Sequence, residues 1–427
     1  MPFGDAVRAW VRIALHSFGG PAGQIAVIHR VVVEEKGWLD EPRFLHALSY
    51  CMLLPGPEAQ QLVTYAGWLL HGVRGGLVAG LLFVLPGFLT ILALSVSYVL
   101  FHDALLVTAL FFGLKPAVVA IVVEALARLG RRALTRAWEL AIAGGAFVAI
   151  FFFGVPFPLI VGGAALLGLF GGSSREVGGP AAEGGALERP QLLPLLRTAG
   201  IWLLVWAVPF VLIAFVPGTR RVFMPEAVFF SKAALVTFGG AYAVLAYLAQ
   251  QAVHVHHWLS PAEMLDGLGL AETTPGPLIM VVQFVGFLGA YRAAGSLNPL
   301  LAGVLGSIVT VWVTFAPCFL FIFAGAPYVE WLRGRRRVQA ALSGIMAAVV
   351  GVVLNLAAWF LLHVSFGTVT RRSFGPLDLW MPDPASVNWS ALGIAALALV
   401  AVFRYRAGVF TVLLGGAVLG LLAVWVG

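Results

Sequence analysis

Two short motifs in this chain could do chemistry, and each is written twice. "SFGGPAGQ" at 17–24 is answered by "TFGGAYAV" at 237–244, and "LLPGPEAQQ" at 53–61 by "TTPGPLIMVVQ" at 273–283. All four sit in apolar surroundings. Proline removes a backbone N–H and clashes inside a continuing helix, yet it is favoured at the first helical position. Pro55 is therefore expected to end one half-helix and Pro57 to start the next, and Pro21 to begin another after Gly19 and Gly20. A new helix N-terminus presents free N–H groups and the positive end of a dipole, which together favour an anion.

The expected ligand groups follow from that chemistry. In the first half they are Ser17, Gly19, Gly20, Pro21 and Gln24 at one break, and Pro55, Gly56, Pro57, Gln60 and Gln61 at the other. Backbone N–H groups would hold the oxygens of the anion, with the three glutamines as side-chain donors. The second half offers Thr237, Gly239 and Gly240, then Thr274, Pro275, Gly276 and Pro277. A plainer reading is that the prolines only kink packed helices and the glycines allow close helix contact. Duplication of both motifs beside polar residues favours a site.

Ionisable groups inside apolar spans are functional candidates by default. Here they are His29, Arg30, Glu58, Lys115 and Glu272, read as groups for coupling or charge. His29 and Arg30 could equally lie at an interface, and Lys115, at an expected segment start, could snorkel to one. A bare carboxylate has little place in an anion site unless it protonates, so Glu58 and Glu272 raise the question of proton coupling. Glu124 and Arg128 read as an i,i+4 pair, and Trp38 and Trp258 as interface anchors.

The elements that must position these residues are membrane helices. Hydrophobic residues make up 61% of the 427 and charged residues 11%, about half the share usual in soluble domains. Thirteen apolar segments are expected, at about 7–33, 44–70, 76–101, 104–127, 137–153, 156–171, 197–216, 226–251, 262–290, 297–325, 338–363, 388–403 and 407–426. The fold class is thus an all-α polytopic membrane protein, with two six-helix repeats of inverted topology and broken helices. Its divisions are a first repeat at 1–171, a linker at 172–196, a connecting helix at 197–217 and a second repeat at 218–427.

The repeat rests on register. FGG, Trp-Leu, PGP and a glycine (Gly75, Gly295) recur at a shift of 220; after an eleven-residue insertion, "PGF" at 86–88 faces "PCF" at 317–319 at a shift of 231. One extra helix between six-helix copies places them in opposite orientations. Loop charges agree: the basic loop follows the fourth segment in the first half (Arg128, Arg131, Arg132, Arg136), whereas "RGRRR" at 333–337 precedes its counterpart in the second. A cytoplasmic N-terminus satisfies most basic loops, with Arg220 and Arg221 as exceptions.

Several classes are excluded. The net charge of +7 fits basic cytoplasmic loops, and no basic face alternates with aromatics to hold nucleic acid. No GK[ST] phosphate loop, Ser/His/Asp set or HExxH pattern appears, so neither a catalytic residue nor a cofactor is expected. "HVHH" at 254–257 could hold a metal but lacks further ligands, and reads as a membrane boundary. Cys51 and Cys318 suggest neither a disulfide nor a metal site.

At "SFGGPAGQIAVIHRVVVEEKGWL" and "RFLHALSYCMLLPGPEAQQLVTYAGWLLHGVRGG", and at "TFGGAYAVLAYLAQQAV", "WLSPAEMLDGLGLAETTPGPLIMVVQFVGFLGAYR" and "GIMAAVVGVVLNLAAWF", the chain resembles the chromate ion transporter family in its long, two-domain form. The resemblance covers roughly 5–363. It implies a bacterial inner-membrane carrier that exports chromate, confers chromate resistance and meets sulfate as a similar tetrahedral oxyanion, with halves of opposite orientation. Sulfate import, and more remotely a membrane scaffold or enzyme, are the alternatives. The partners implied are the oxyanion and the lipid bilayer, with a homodimer left open. The second copy departs from the first: Ala241 replaces Pro21 and Leu278 replaces Glu58, which weights substrate binding toward the first half.

Overall fold

A computed structural model describes residues 2–18, 20–52, 54–101, 104–171, 192–238, 241–325 and 336–426. Gly19, Gly239, Gly240, residues 172–191 of the linker and the basic cluster at 333–335 lie outside the described residues. Helices dominate. In chain order they are α1 (Phe3–His16), α2 (Gly20–His29), α3 (Glu41–Cys51), α4 (Glu58–Phe101), α5 (Leu105–Ala133), α6 (Ala137–Phe153), α7 (Phe157–Gly171) and α8 (Leu192–Phe215), followed by α9 (Arg220–Val236), α10 (Ala241–Ala249), α11 (Pro261–Thr273), α12 (Val281–Arg292), α13 (Pro299–Gly325), α14 (Arg336–Ser365), α15 (Trp389–Tyr405) and α16 (Val409–Val426). Five of them are long and apolar enough to cross a bilayer. This is an all-α polytopic membrane protein.

The chain forms two compact units. One comprises 1–92, 173–244 and 274–342; the other comprises 93–172, 245–273 and 343–427. Each unit therefore draws segments from both halves of the sequence.

In the first unit the motifs break the helices at the expected places, and so change the segment count. The stretch 7–33 is not one span but α1 and α2, parted at Ser17–Phe18. The expected segment 44–70 splits into α3 and the start of α4, because "PGP" ends one helix and opens the next. Helix α4 then reverses at His71 (φ −140°) and Gly72 (φ 60°). Its two arms lie side by side: a Cβ on Gly67 would stand 2.5 Å from the Gly75 carbonyl oxygen and 2.8 Å from Ala79 Cβ.

Helices α12 and α13 repeat this hairpin, with Gly286 held against Gly306 and Thr310. Gly75 therefore has the packing role of Gly306. Gly295, which the register of 220 pairs with Gly75, instead sits in the turn at φ 61°, like Gly72 at φ 60°. The insertion is largely a longer turn.

In the second unit, α5 packs on α15, α16 and α11. Its glycine face closes on α16: Gly113 abuts the Gly416 carbonyl, and a Cβ there would lie 2.7 Å from the Gly420 nitrogen. The loop expected at 364–388 folds instead as a hairpin of β1 (Val369–Phe374) and β2 (Leu377–Pro382), with Gly375 at φ 62° in its turn. Arg371 opposes Trp380 and Ser373 opposes Asp378, so alternation sets these four side chains on one face.

The contact between α5 and α16 has no room for side chains. Gly113→Val is expected to destabilise the protein by about 1–3 kcal/mol through overpacking, and Gly393→Ala, which meets open space, by less than about 0.5 kcal/mol. Thermal unfolding of the purified variants in detergent measures both.

Candidate functional site

Both FGG breaks are built alike. Ser17 ends α1 at φ −85°, ψ 83°, and its hydroxyl donates to the Ile13 carbonyl at 2.6 Å. Thr237 ends α9 at φ −77°, ψ 86°, and its hydroxyl donates to the Ala233 carbonyl at 2.6 Å. Each hydroxyl turns back on its own helix, leaving the backbone carbonyl of the break residue pointing onward. After each second helix comes a π-helical turn, Arg30–Glu35 in one half and Gln250–Val255 in the other. The tryptophan that follows, Trp38 or Trp258, donates its backbone N–H to the carbonyl of Val32 or Ala252, at 2.8 Å in both cases.

The two PGP breaks complete these ends crosswise. Gly56 N–H donates to the Thr237 carbonyl at 2.7 Å, and Gly276 N–H donates to the Ser17 carbonyl at 2.9 Å. The glycine of each half is thus bonded to the FGG break of the other. Packing crosses over in the same way. A Cβ on Gly56 would stand 2.9 Å from Cys318 Sγ of "PCF", and one on Gly87 of "PGF" 2.8 Å from the Pro275 oxygen. Gly56 (φ 127°) and Gly276 (φ 97°) hold backbone conformations closed to other residues.

Around these crossings lies a buried polar set. Ser17, Gln24, Gln60, Gln61, Thr64 and Thr237 are all 2% exposed or less. Gln24 donates to the Gly276 carbonyl at 2.7 Å, Gln60 to Thr64 Oγ1 at 3.1 Å, and Gln61 to the Pro55 carbonyl at 2.8 Å. The expected donors are therefore partly engaged. Gly56 and Gly276 give their N–H groups to protein carbonyls, and each glutamine keeps one amide hydrogen beyond the bond it makes. The amide oxygens of Gln60 and Gln61 have no partner in the protein. Glu58, 8% exposed, occupies the first turn of α4, where a carboxylate competes with an anion for the same dipole.

The charged candidates separate. His29 bonds Glu41 at 2.6 Å and Glu34 at 3.2 Å, and Arg30 lies 3.6 Å from Glu35; this polar cluster is at the far end of α2 from its break at Ser17–Phe18. Arg128 pairs with Glu124 as expected. Trp38 packs edge-on against Trp10, and Trp258 stacks on His256.

Lys115 is not at a segment end. It lies well inside α5, 3.3 Å from Asp266 of α11, whose other oxygen accepts from Tyr98 at 3.0 Å. Asp266, 2% exposed, was not among the expected residues. Its signal was in the sequence: a carboxylate between Met264–Leu265 and Gly267–Leu268 in the apolar run before the second "PGP", with Lys115 lacking a counter-ion. Glu272, on the same helix, is 3% exposed.

A cavity of about 260 Å³ in the second unit is lined by Gln250, His254, Trp359, Arg371, Asp378 and Trp380, among others. Hydrogen bonds from Arg371 and Ser373 hold the Asp378 carboxyl below its usual range. His254 of "HVHH" packs on Trp359 and Trp380, and among the described residues no three His, Cys, Asp or Glu stand together as metal ligands.

The sequence pattern of the family described as "Chromate transporter" matches residues 4–169 and 226–421, most of the chain. The chain belongs to the chromate transporter family. The "Chromate transport protein" of Pseudomonas aeruginosa is 30% identical over 364 residues, 83% of this chain and 80% of its own. The protein of the same name from Cupriavidus metallidurans is 27% identical over 351 residues, 81% of this chain and 80% of its own. The "Probable chromate transport protein" of Synechococcus elongatus is 28% identical over 346 residues, 81% of each. No solved structure matches. In this family member both matched regions contain one FGG break and one PGP break, so the crosswise bonds join the two matched regions.

Removing one side of the Lys115–Asp266 pair leaves a desolvated carboxylate. Lys115→Met should destabilise by about 3 kcal/mol, and adding Asp266→Asn should recover most of the loss. Unfolding midpoints of the two single variants and the double variant provide the test.

Proposed function

We propose that this protein exports chromate across the bacterial inner membrane by alternating access between two halves of inverted topology, giving chromate resistance. The observation that carries this reading is the crosswise bonding of four helix breaks beside buried amides. Irregular backbone at membrane depth, with polar side chains converging on it, is the arrangement in which broken-helix transporters hold substrate. The family relationship supplies the substrate class, since relatives bear the name chromate transport protein.

In this account the anion meets the N-terminal turns of α2 and α4. The second amide hydrogens of Gln24, Gln60 and Gln61 bond its oxygens, with Ser17, Gly19, Gly20, Pro21, Pro55, Gly56 and Pro57 shaping the cradle. Thr237, Gly239, Gly240, Thr274, Pro275, Gly276 and Pro277 form its counterpart, weaker in side-chain donors because Leu278 and its neighbours are apolar. A chromate dianion leaving a negative cytoplasm moves with the membrane potential, about 2.3 kcal/mol per charge per 100 mV. The basic loops fit a cytoplasmic N-terminus.

Reconstituted protein should carry labelled chromate into vesicles, with sulfate competing as a like-shaped dianion; uptake of sulfate alone would overturn the chromate reading. A hydrogen bond to a charged group contributes about 1.5–3 kcal/mol, so Gln60→Ala should lower chromate transport by about 10- to 100-fold at unchanged protein level. Gly56→Leu should abolish it. Full transport in both variants would contradict binding at these breaks, and chromate resistance left intact by both, without transport by the reconstituted protein, would point to a scaffold or an enzyme instead.

A further inference from the structure

One carboxyl in the first unit is absorbed by none of the above. Glu226 lies near the start of α9, 1% exposed, and neither of its oxygens has a hydrogen-bond partner in the protein. Among the described residues it makes no ion pair. Its Oε2 stands 3.1 Å from where a Cβ on Gly306 of α13 would be. The hydroxyls of Ser231, Ser307 and Thr310, on the same two helices, are likewise buried without partners.

Among the described residues no charge faces Glu226. Helix α13 carries no charged residue and only the thiol of Cys318 as a titratable group, α8 carries Arg197, and α12 carries Tyr291 and Arg292. On α9 itself stand Arg220, Arg221 and Lys232. All five cations are exposed, and none bonds to Glu226.

The fold does not need a carboxyl at this place. In the register that joins the FGG motifs, Glu226 matches Ala6, which is 1% exposed in α1. In the register that joins "PGF" to "PCF", Ser307 and Thr310 match Gly76 and Ala79. Three buried positions are therefore apolar or bare in the first half and oxygen-bearing in the second. An ionisable group inside a membrane protein, without a counter-charge, marks a proton or ion pathway by default.

We propose that Glu226 is the proton-binding site of this transporter, loaded together with the oxyanion. This rests on the transport reading above. An O–H bond forms at one carboxyl oxygen, with the proton taken from water on one side of the membrane; the bond breaks and the proton returns to water on the other side. Glu226 lies three turns before Thr237 on the same helix, so its negative charge opposes a dianion at the breaks and its protonation favours one. By linkage, bound oxyanion favours the proton equally, and the two travel in the same direction.

Proteoliposomes holding a pH-sensitive dye, given external chromate under a clamped membrane potential, test this. Wild type should acidify the lumen as chromate enters. Glu226→Gln should keep chromate counterflow at equal pH within about twofold while losing at least tenfold of the acidification, and Glu226→Ala should do the same. Chromate entry without acidification in wild type, or acidification surviving in Glu226→Gln, overturns the proposal. So does loss of counterflow in both variants, which would make the residue structural. Absence of wild-type counterflow would instead sink the transport reading itself.

Discussion

The first unit depends on one constraint: a backbone N–H freed by a proline-glycine break must find an acceptor where there is no water. An unpaired amide in an apolar interior costs several kcal/mol. Gly56 and Gly276 meet this demand with the carbonyls of Thr237 and Ser17, each in the opposite half of the sequence. Neither half could complete its own PGP break in this way. The crossing also fixes what may sit beside each glycine, which is why Cys318 and Gly87 occupy the middle of their motifs. The composition of the compact units follows from the same bonds, since the segments that carry the breaks of both halves are gathered in the first unit.

The same crossing gives the proposed transport site its character. Two of the amides expected to hold the anion are already bonded, so recognition shifts to the buried glutamines and to helix N-termini. Gln60 and Gln61 sit in the first turn of α4 with their amide oxygens unpartnered, a strained arrangement for groups with no exposure. An anion that turned these amides outward would exchange one set of bonds for another. The halves are unequal. The first half has Gln24, Gln60 and Gln61 where the second has Val244, Met280 and Val281, and the second has Glu226, Ser307 and Thr310 where the first has Ala6, Gly76 and Ala79.

Much of this was legible in the sequence because proline and glycine act locally. Breaks at 17–20, 52–57, 237–240 and 274–277 follow from the missing N–H and from permissive φ angles, whatever the partner. The partner itself was not legible. Gly56 meeting Thr237, or Gln24 meeting Gly276, depends on how distant segments pack, and a register match between motifs says nothing about which copies touch. Lys115 was misread for a related reason: the start of α5 was placed to within one residue, but the counter-ion Asp266 lies over a hundred residues away in the sequence. The β-hairpin at 369–382 was missed because "VTRRSFGPLDLWMP" reads as a mixed polar loop, although "GP" between alternating residues is a turn signal. Gly75 was matched to Gly295 because two glycines competed for one register, and only packing against Gly67 and Gly286 distinguishes them.

The central claim is that the anion binds at the crossed breaks, against the first turn of α4. The most direct measurement is the rate at which a thiol reagent labels Gln60→Cys, with Cys51 and Cys318 replaced by alanine, in the presence and absence of chromate. The account predicts that saturating chromate slows labelling at least fivefold, that sulfate does so at higher concentration, and that a cysteine at Arg372, exposed on the β-hairpin, is unaffected. Labelling at position 60 that proceeds at the same rate with and without chromate would contradict it.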